Sequence, residues 1–106
     1  MPAATFRVEL TDSALADLAE MRGYWERRQE GWRGEKYFRD LTMLARTELP
    51  DFIRSRRGRL VKIPGHPNAR EVLAFGVYRI IYRIDETAGT VNVLRFWHAH
   101  RDEPLA

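Results

Sequence analysis

The sequence predicts an α+β fold, with elements in the order β-α-α-β-β-β and a helical hairpin packed on one face of a small, mostly antiparallel four-stranded sheet. Residues 5–10 alternate apolar and charged side chains, which is typical of a half-buried strand. Residues 13–49 carry apolar side chains at helical spacing. Residues 70–97 contain three runs rich in β-branched and aromatic residues. Helices in one block and strands in another are typical of the α+β class, and 106 residues are expected to form one domain.

Capping and breaking residues define the helical hairpin. Residues 11–13 precede the first helix, and Asp12 or Ser13 is expected to accept a hydrogen bond from a free N–H group of its first turn. Two glycines mark a break after that helix. The second helix is expected to run from about residue 35 to residue 49. We expect it to stop at Pro50, because the residue before a proline is driven out of helical conformations.

The last two strands form a predicted β-hairpin, around which the rest of the chain is organised. Runs at 77–85 and 90–97 are separated by a short polar segment that contains a glycine. Strand alternation places Arg79 and Arg83 on one face of the first strand. Alternation also predicts that four residues of the second strand share a face: Val91, Val93, Arg95 and Trp97. One surface of the hairpin is therefore expected to enter the core, and the other to present cationic and aromatic groups.

Charge is concentrated in one window of the chain. The net charge is only +3, but residues 52–70 contain six basic residues and no acidic one. Such a window is typical of a surface for a polyanion or an acidic protein, or of a solvated loop. Within it, residues 60–63 are expected to form a short strand or an extended tether.

The composition limits the classes of protein that fit. The chain has no cysteine, which excludes a disulfide framework and a thiolate zinc site. Its apolar runs are too short to span a bilayer, and the N-terminus lacks the pattern of an export signal. We therefore expect a cytoplasmic protein without a membrane partner.

The residues of the hairpin offer groups for acid–base chemistry. Cleaving RNA without a metal needs a base, an acid and a cation to stabilise the phosphorane. Arginines at 79, 83 and 95 supply positive charge, and His98 or His100 supplies groups that exchange protons near neutral pH. The alternative is that these arginines only form salt bridges with nearby acidic residues. A metal site built from the two histidines and Asp102 is a weak signal, and no metal or cofactor is predicted.

Three stretches carry a family resemblance: Ala69-Arg-Glu-Val72, Gly76-Val-Tyr-Arg-Ile-Ile-Tyr-Arg-Ile-Asp85 and Val93-Leu-Arg-Phe-Trp-His-Ala-His-Arg-Asp102. Together with the order of elements, they resemble the RelE/ParE superfamily, the toxin halves of bacterial type II toxin–antitoxin pairs. The resemblance implies a small, basic, cytoplasmic toxin that a co-encoded antitoxin holds inactive in a hetero-oligomer.

The superfamily has two branches with different targets. RelE-like toxins cut mRNA in the ribosomal A site, whereas ParE-like toxins poison DNA gyrase. Arg79 matches an arginine of the RelE-like site, and His98 falls where that branch carries a basic residue. However, Ala99 stands where the model nuclease has an arginine, and no C-terminal tyrosine follows. The stretch His98-Ala-His-Arg-Asp102 is similar to the His-Gly-x-Arg-Asp ending of ParE-like sequences, which favours that branch.

These observations give two sets of candidate site residues. Arg79 and His98 are the catalytic candidates of a RelE-like ribosome-dependent mRNA endonuclease. The candidates for binding a target or an antitoxin share positive charge, an imidazole or an aromatic ring: Arg54, Arg56, Arg57, Arg59, Lys62, Arg83, Arg95, Trp97, His100 and Arg101. The expected partners are a cognate antitoxin and DNA gyrase, or ribosome and mRNA in the alternative. A further alternative is a non-toxic basic module that binds nucleic acid or an acidic protein.

Overall fold

The computed structural model describes residues 6–55 and 58–99. Its elements, in chain order, are β1 Arg7–Leu10, α1 Asp12–Arg27, α2 Gly31–Met43, a π-helical turn Leu44–Glu48, α3 Leu49–Ser55, β2 Arg59–Leu60, β3 Arg70–Ala74, β4 Tyr78–Asp85 and β5 Thr90–His98. No helix among these residues is long and apolar enough to cross a membrane.

The strands form one mixed sheet in the order β1-β5-β4-β3-β2. β1 pairs with β5 in parallel, and the other neighbours are antiparallel. The predicted α+β class and mostly antiparallel sheet are confirmed. The expected count of four strands is wrong by one, because Arg59 and Leu60 pair with Glu71 and Arg70 at the edge of the sheet. Only Leu60 of the stretch 60–63, for which the sequence left a strand or a tether open, belongs to this strand.

The first helix is capped by Thr11. Its side-chain oxygen accepts a hydrogen bond from the Ala14 N–H at 3.2 Å, so the expectation that Asp12 or Ser13 would cap the helix is wrong. Thr11 is the last residue with extended backbone, and Asp12 already belongs to the helix. The Thr11 hydroxyl also donates to the Val93 carbonyl at 2.8 Å. The cap therefore fastens the start of α1 to β5.

The second helix begins at Gly31 and continues through Pro50, so the expected stop is wrong. A proline inside an α-helix lacks the N–H group and clashes with the carbonyl four residues earlier. Here a π-helical turn precedes Pro50, and the Leu49 N–H bonds to the Leu44 carbonyl five residues back. The wider turn gives the pyrrolidine ring room, and burial of Leu49, Pro50 and Ile53 holds the last helical segment on the core.

Two apolar clusters lie on opposite sides of the sheet. The larger one fills the space between the helices and the side of the sheet that we call the helix face, with Leu18, Leu41, Ile53, Ile80 and Tyr82 fully buried. The opposite side, which carries Arg79, Ile81 and Arg83, is called the arginine face. On it a smaller cluster joins four buried residues: Ile63, Ala69, Ile81 and Leu94.

A β-bulge changes the alternation of β5. Arg95 pairs with Ile81, but Val93 pairs with Tyr82, so Leu94 is an extra residue on β5. Val93 consequently enters the main core, whereas Leu94 and Trp97 join the smaller cluster on the arginine face. The expectation that Val93 and Trp97 share a face is therefore wrong, since simple alternation does not foresee an inserted residue.

Candidate functional site

Arg79 lies on the arginine face and is buried, with only 8% of its surface exposed. Its Nη1 atom lies 3.2 Å from Oε2 of Glu71 on the neighbouring strand β3. The register sets Leu73 opposite Arg79, so Glu71 is its diagonal neighbour two residues along. Oε1 of the same carboxylate accepts a hydrogen bond from Nε of Arg59 at 3.0 Å. We call this set the Arg59–Glu71–Arg79 network.

The network leaves little free positive charge in the middle of the sheet. The Glu71 side chain is 6% exposed, and a buried charge is tolerated only when it is paired and hydrogen-bonded. Its carboxylate offsets one of the two guanidinium charges. The side chain of Arg59 is 76% exposed, so the cation that solvent or a partner meets is Arg59, with Arg79 beneath it.

Part of the basic window at residues 52–70 covers part of the arginine face. Ile63 and Ala69 pack on Ile81 and Leu94, and all four are buried. Arg83, two residues beyond Ile81 on the same strand, remains exposed. The arginine face, which the sequence predicts to be cationic, thus has an apolar patch at its centre and arginines at its margins.

Arg95 is held within the molecule. Its guanidinium forms two hydrogen bonds with the Asp17 carboxylate, Nε to Oδ2 at 2.7 Å and Nη2 to Oδ1 at 2.8 Å. Oδ2 also accepts the Phe96 N–H at 3.0 Å, and the Arg95 guanidinium carbon lies 4.5 Å from the Trp97 ring centroid. The bonds to Asp17 raise the pKa of Arg95 above its ordinary value. This arrangement ties α1 to the edge of β5.

His98 lies on the helix face, opposite to Arg79. It pairs across the strands with Tyr78, whereas Arg79 pairs with Trp97, and successive residues of a strand point to opposite faces. The His98 ring meets the Tyr78 ring edge-to-face, with centroids 5.7 Å apart. Burial raises the pKa of Tyr78. The two catalytic candidates therefore lie on different sides of the sheet.

His98 ends a series of aromatic contacts that reaches the helical hairpin. Tyr78 meets Tyr37 at 5.2 Å, Tyr37 stacks on Trp25 at 5.9 Å, and Trp25 meets Tyr24 at 5.1 Å between ring centroids. These helical residues were not among the predicted site residues. Their spacing indicates only helix packing, and it does not reveal that they converge on the end of β5.

The aromatic series lines a cavity of about 570 Å³ on the helix face. The cavity lies between the helical hairpin and the ends of β4 and β5. Its lining is mostly apolar and aromatic, with charged groups from α1: Asp17, Glu20, Met21, Tyr24, Trp25, Arg27, Tyr37, Val77, Tyr78, Phe96 and His98.

Comparison with known proteins gives the family. The family model described as the ParE toxin of the type II toxin-antitoxin system, parDE, matches residues 8–103. The chain belongs to the ParE toxin family. This confirms the resemblance to the RelE/ParE superfamily.

Solved structures show the same fold for this ParE-family toxin. It is similar to a chain of the toxin–antitoxin complex RelBE2 from Mycobacterium tuberculosis, with 21% identity, a TM-score of 0.69, and coverage of 93% of this chain and 97% of that one. It is also similar to a chain of the chromosomal ParDE system from P. aeruginosa, with 16% identity, a TM-score of 0.66, and coverage of 91% and 98%. No curated protein sequence matches this chain.

The remaining candidates of this ParE-family chain are dispersed. Arg54 is exposed at the end of α3, where its Nη1 atom lies 3.7 Å from Oδ1 of Asp51. Lys62 is exposed on the segment that follows β2. Four of the candidates lie outside the described residues: Arg56, Arg57, His100 and Arg101. Among residues 6–55 and 58–99, no group of three or more histidine, aspartate or glutamate side chains is placed to hold a metal ion.

Proposed function

We propose that this ParE-family toxin arrests growth by inhibiting DNA gyrase, and that a cognate antitoxin neutralises it in a cytoplasmic hetero-oligomer. The observation that carries the choice of target is the separation of Arg79 from His98. The two pair with Trp97 and Tyr78, at adjacent positions of the sheet, and so point to opposite faces.

Metal-free cleavage of RNA requires its acid, base and cation to meet at one phosphate. Arg79 lies on the arginine face and His98 on the helix face, so the two side chains do not reach the same phosphate. In addition, the guanidinium of Arg79 already forms an ion pair with Glu71, with Nη1 3.2 Å from Oε2. A nuclease of this kind would need Arg79 to break its hydrogen bond with this buried carboxylate, and a bond to a charged group contributes about 1.5–3 kcal/mol.

One observation favours the second candidate, a RelE-like mRNA endonuclease. Arg59 and Arg83 are both exposed on the arginine face, so an RNA backbone has cations to contact there. They lie at the margins of the apolar patch formed by Ile63 and Ile81. They therefore offer charge contacts to a phosphate backbone beside a segment that also carries His66.

The surface of the chain supports an antitoxin as partner. Large apolar side chains are exposed on several elements of this small protein: Leu15, Tyr24, Trp32, Met43, Leu60, Leu73 and Phe75. Of these, Tyr24 lines the mostly apolar cavity on the helix face, and concave apolar sites are where binding partners insert apolar groups. The exposed cations Arg54, Arg59, Lys62 and Arg83 add electrostatic attraction for an acidic partner. The two solved relatives come from toxin–antitoxin systems.

Inducible expression without antitoxin tests the target. DNA and protein synthesis are followed by pulse-labelling, and covalent gyrase–DNA complexes are measured. We expect DNA synthesis to fall first and trapped complexes to accumulate. If protein synthesis falls first and transcripts are cut within codons, the RelE-like candidate replaces this proposal. Cells that grow normally would favour the non-toxic basic module.

Two variants make the test independent of folding. Arg79→Ala would leave the buried Glu71 with Arg59 as its ion-pair partner and would destabilise the sheet, so a loss of toxicity would have two explanations. The double variant Glu71→Gln with Arg79→Gln removes both charges together, which is far less disruptive than removing one. His98→Asn removes the proton-exchanging group on the helix face. We expect both to retain growth arrest within about threefold. Loss of arrest in both, with unchanged thermal unfolding, would contradict the gyrase proposal.

A further inference from the structure

Of the residues that line the aromatic cavity on the helix face, only His98 was predicted as a site residue. Its volume of about 570 Å³ lies in the range that drug-sized ligands or side-chain anchors occupy, roughly 300–1,000 Å³. Phe96, Met21 and Tyr78 form its buried floor, whereas Tyr24 on its rim is 42% exposed. An apolar group entering here would be covered by aromatic rings on several sides.

Two charged residues of α1 flank the cavity. Glu20 and Arg27 both line it and are seven residues apart. On an α-helix this spacing is two turns, so both point to the same side and are separated by about 10 Å along the axis. Both residues are exposed, and neither lies within 4 Å of an oppositely charged group among the described residues, although Glu20 is near enough to Arg95 to help raise its pKa. The rim is therefore negative at one end and positive at the other, with Tyr24 between them.

We propose that this cavity receives an apolar side chain from a helical segment of the antitoxin, with a basic residue of that segment at Glu20 and an acidic one at Arg27. The inference rests on the proposed toxin–antitoxin function and assigns the partner's segment and its direction. A helix laid along α1 would place its two charged residues about two turns apart and its anchor between them. The apolar lining supplies affinity, and the opposite charges select one orientation.

Binding of the antitoxin encoded beside the toxin gene tests the proposal. Its dissociation constant is measured by biolayer interferometry on purified wild-type chain and on variants with unchanged thermal unfolding. Tyr24→Ala removes part of the cavity wall and is expected to weaken binding by at least about tenfold, as for an interface anchor. Glu20→Lys and Arg27→Glu are each expected to weaken it by about fivefold, with a reduced salt dependence.

Matched variants elsewhere serve as controls. Thr87→Ala truncates an exposed side chain in the turn between β4 and β5, at the opposite end of these strands from the cavity. Glu48→Lys reverses an exposed charge on the π-helical turn. We expect both to change the dissociation constant by less than about twofold. If the cavity variants bind as the controls do, the proposal is overturned, while growth arrest and neutralisation leave the proposed function intact.

The double variant Glu20→Lys with Arg27→Glu separates the antitoxin from a second copy of this chain. In an antiparallel pair of α1 helices, Glu20 of each copy would meet Arg27 of the other, so the double exchange would restore what each single exchange removes. With the antitoxin as occupant, the double variant is expected to bind it more weakly than either single variant. Self-association that is lost in the single variants and restored in the double variant would overturn the proposal. An antitoxin that fails to bind the wild-type chain would contradict the proposed function and this inference together.

Discussion

Arg79 and Arg83 are two residues apart on β4 and point to the same face of the sheet, yet the structure treats them differently. Arg79 is buried against Glu71, whereas Arg83 is exposed beyond the smaller apolar cluster. The difference comes from β3 and the segment before it. Those residues bring a carboxylate to Arg79 and apolar cover to Ile81, and they leave Arg83 uncovered. A cation on a strand face is available for binding only if no neighbouring element buries it or pairs it with an acidic side chain.

The two faces of the sheet differ in the same sense. On the arginine face, which the sequence predicts to be functional, Glu71 offsets the charge of one arginine and an apolar cluster covers the centre. The helix face, which alternation assigns to the core, has a cavity at the end of β5 where the packing of the helices is incomplete.

The largest effect is expected at Glu71. Glu71→Ala removes a buried carboxylate that accepts hydrogen bonds from both Arg59 and Arg79, so the free energy of unfolding should fall by roughly 3–5 kcal/mol. Urea denaturation followed by circular dichroism measures the change. Arg83→Ala, on the same face of the sheet, is the control and should lower the free energy of unfolding by less than about 0.5 kcal/mol. If both variants lose the same small amount, Arg79 is not held by Glu71 and the contrast between the two arginines fails.

Gly58 lies close to the Tyr82 side chain and to the backbone of Glu71. Its φ of +77° favours glycine, and an added Cβ would clash with the Tyr82 hydroxyl and lie 2.9 Å from the Glu71 carbonyl oxygen. Gly58→Ala combines backbone strain with overpacking, so we expect a loss of about 3 kcal/mol in the free energy of unfolding. Gly76→Ala is the matched control, with a φ of +68° and no atom within 4 Å of the added Cβ. It should lose only about 1 kcal/mol, for backbone strain alone. Equal losses in the two variants would show that Tyr82 and Glu71 leave room for a Cβ at Gly58.

Local patterns in the sequence were enough to predict the class of the fold, the hairpin strands and the superfamily. Local patterns gave wrong predictions where a neighbouring turn or an inserted residue changes the regular geometry of a helix or strand. The helix passes Pro50 because a π-helical turn precedes it, and the faces of β5 change because Leu94 is inserted. Neither feature leaves a periodic signal.

The site was predictable in part. The basic side chains on β4 and β5 were identified from their residue types. Their availability could not be, since it depends on the register that brings Glu71 diagonal to Arg79. The cavity was missed because Tyr24 and Tyr37 come from different helices, and their spacing on each helix indicates packing alone.

A smaller effect is expected at the edge of β5, where Arg95 joins the two faces. Asp17→Ala removes two hydrogen bonds to Arg95 and one from the Phe96 N–H. Bonds to charged groups contribute about 1.5–3 kcal/mol, and Arg95 is partly exposed and can reach water, so we expect a loss of about 2 kcal/mol. Asp12→Ala, in the exposed first turn of the same helix, should cost less than about 1 kcal/mol. If both cost the same in urea denaturation, the bond between α1 and β5 contributes nothing specific.

The smallest effect concerns Tyr78 on the floor of the cavity, and it is seen only at high pH. Burial raises the pKa of this hydroxyl in the folded protein above its ordinary value of 10.0. Between the two pKa values the unfolded chain has lost the proton that the folded chain still binds, so stability falls as the pH rises above 10. Tyr78→Phe removes this titration, and its free energy of unfolding should decline less steeply than that of the wild type from pH 9.5 to 11. The measurement is urea denaturation at several pH values. Parallel curves for the two proteins would mean that the Tyr78 hydroxyl is as well solvated in the folded chain as in the unfolded one, and that the cavity floor is open to water.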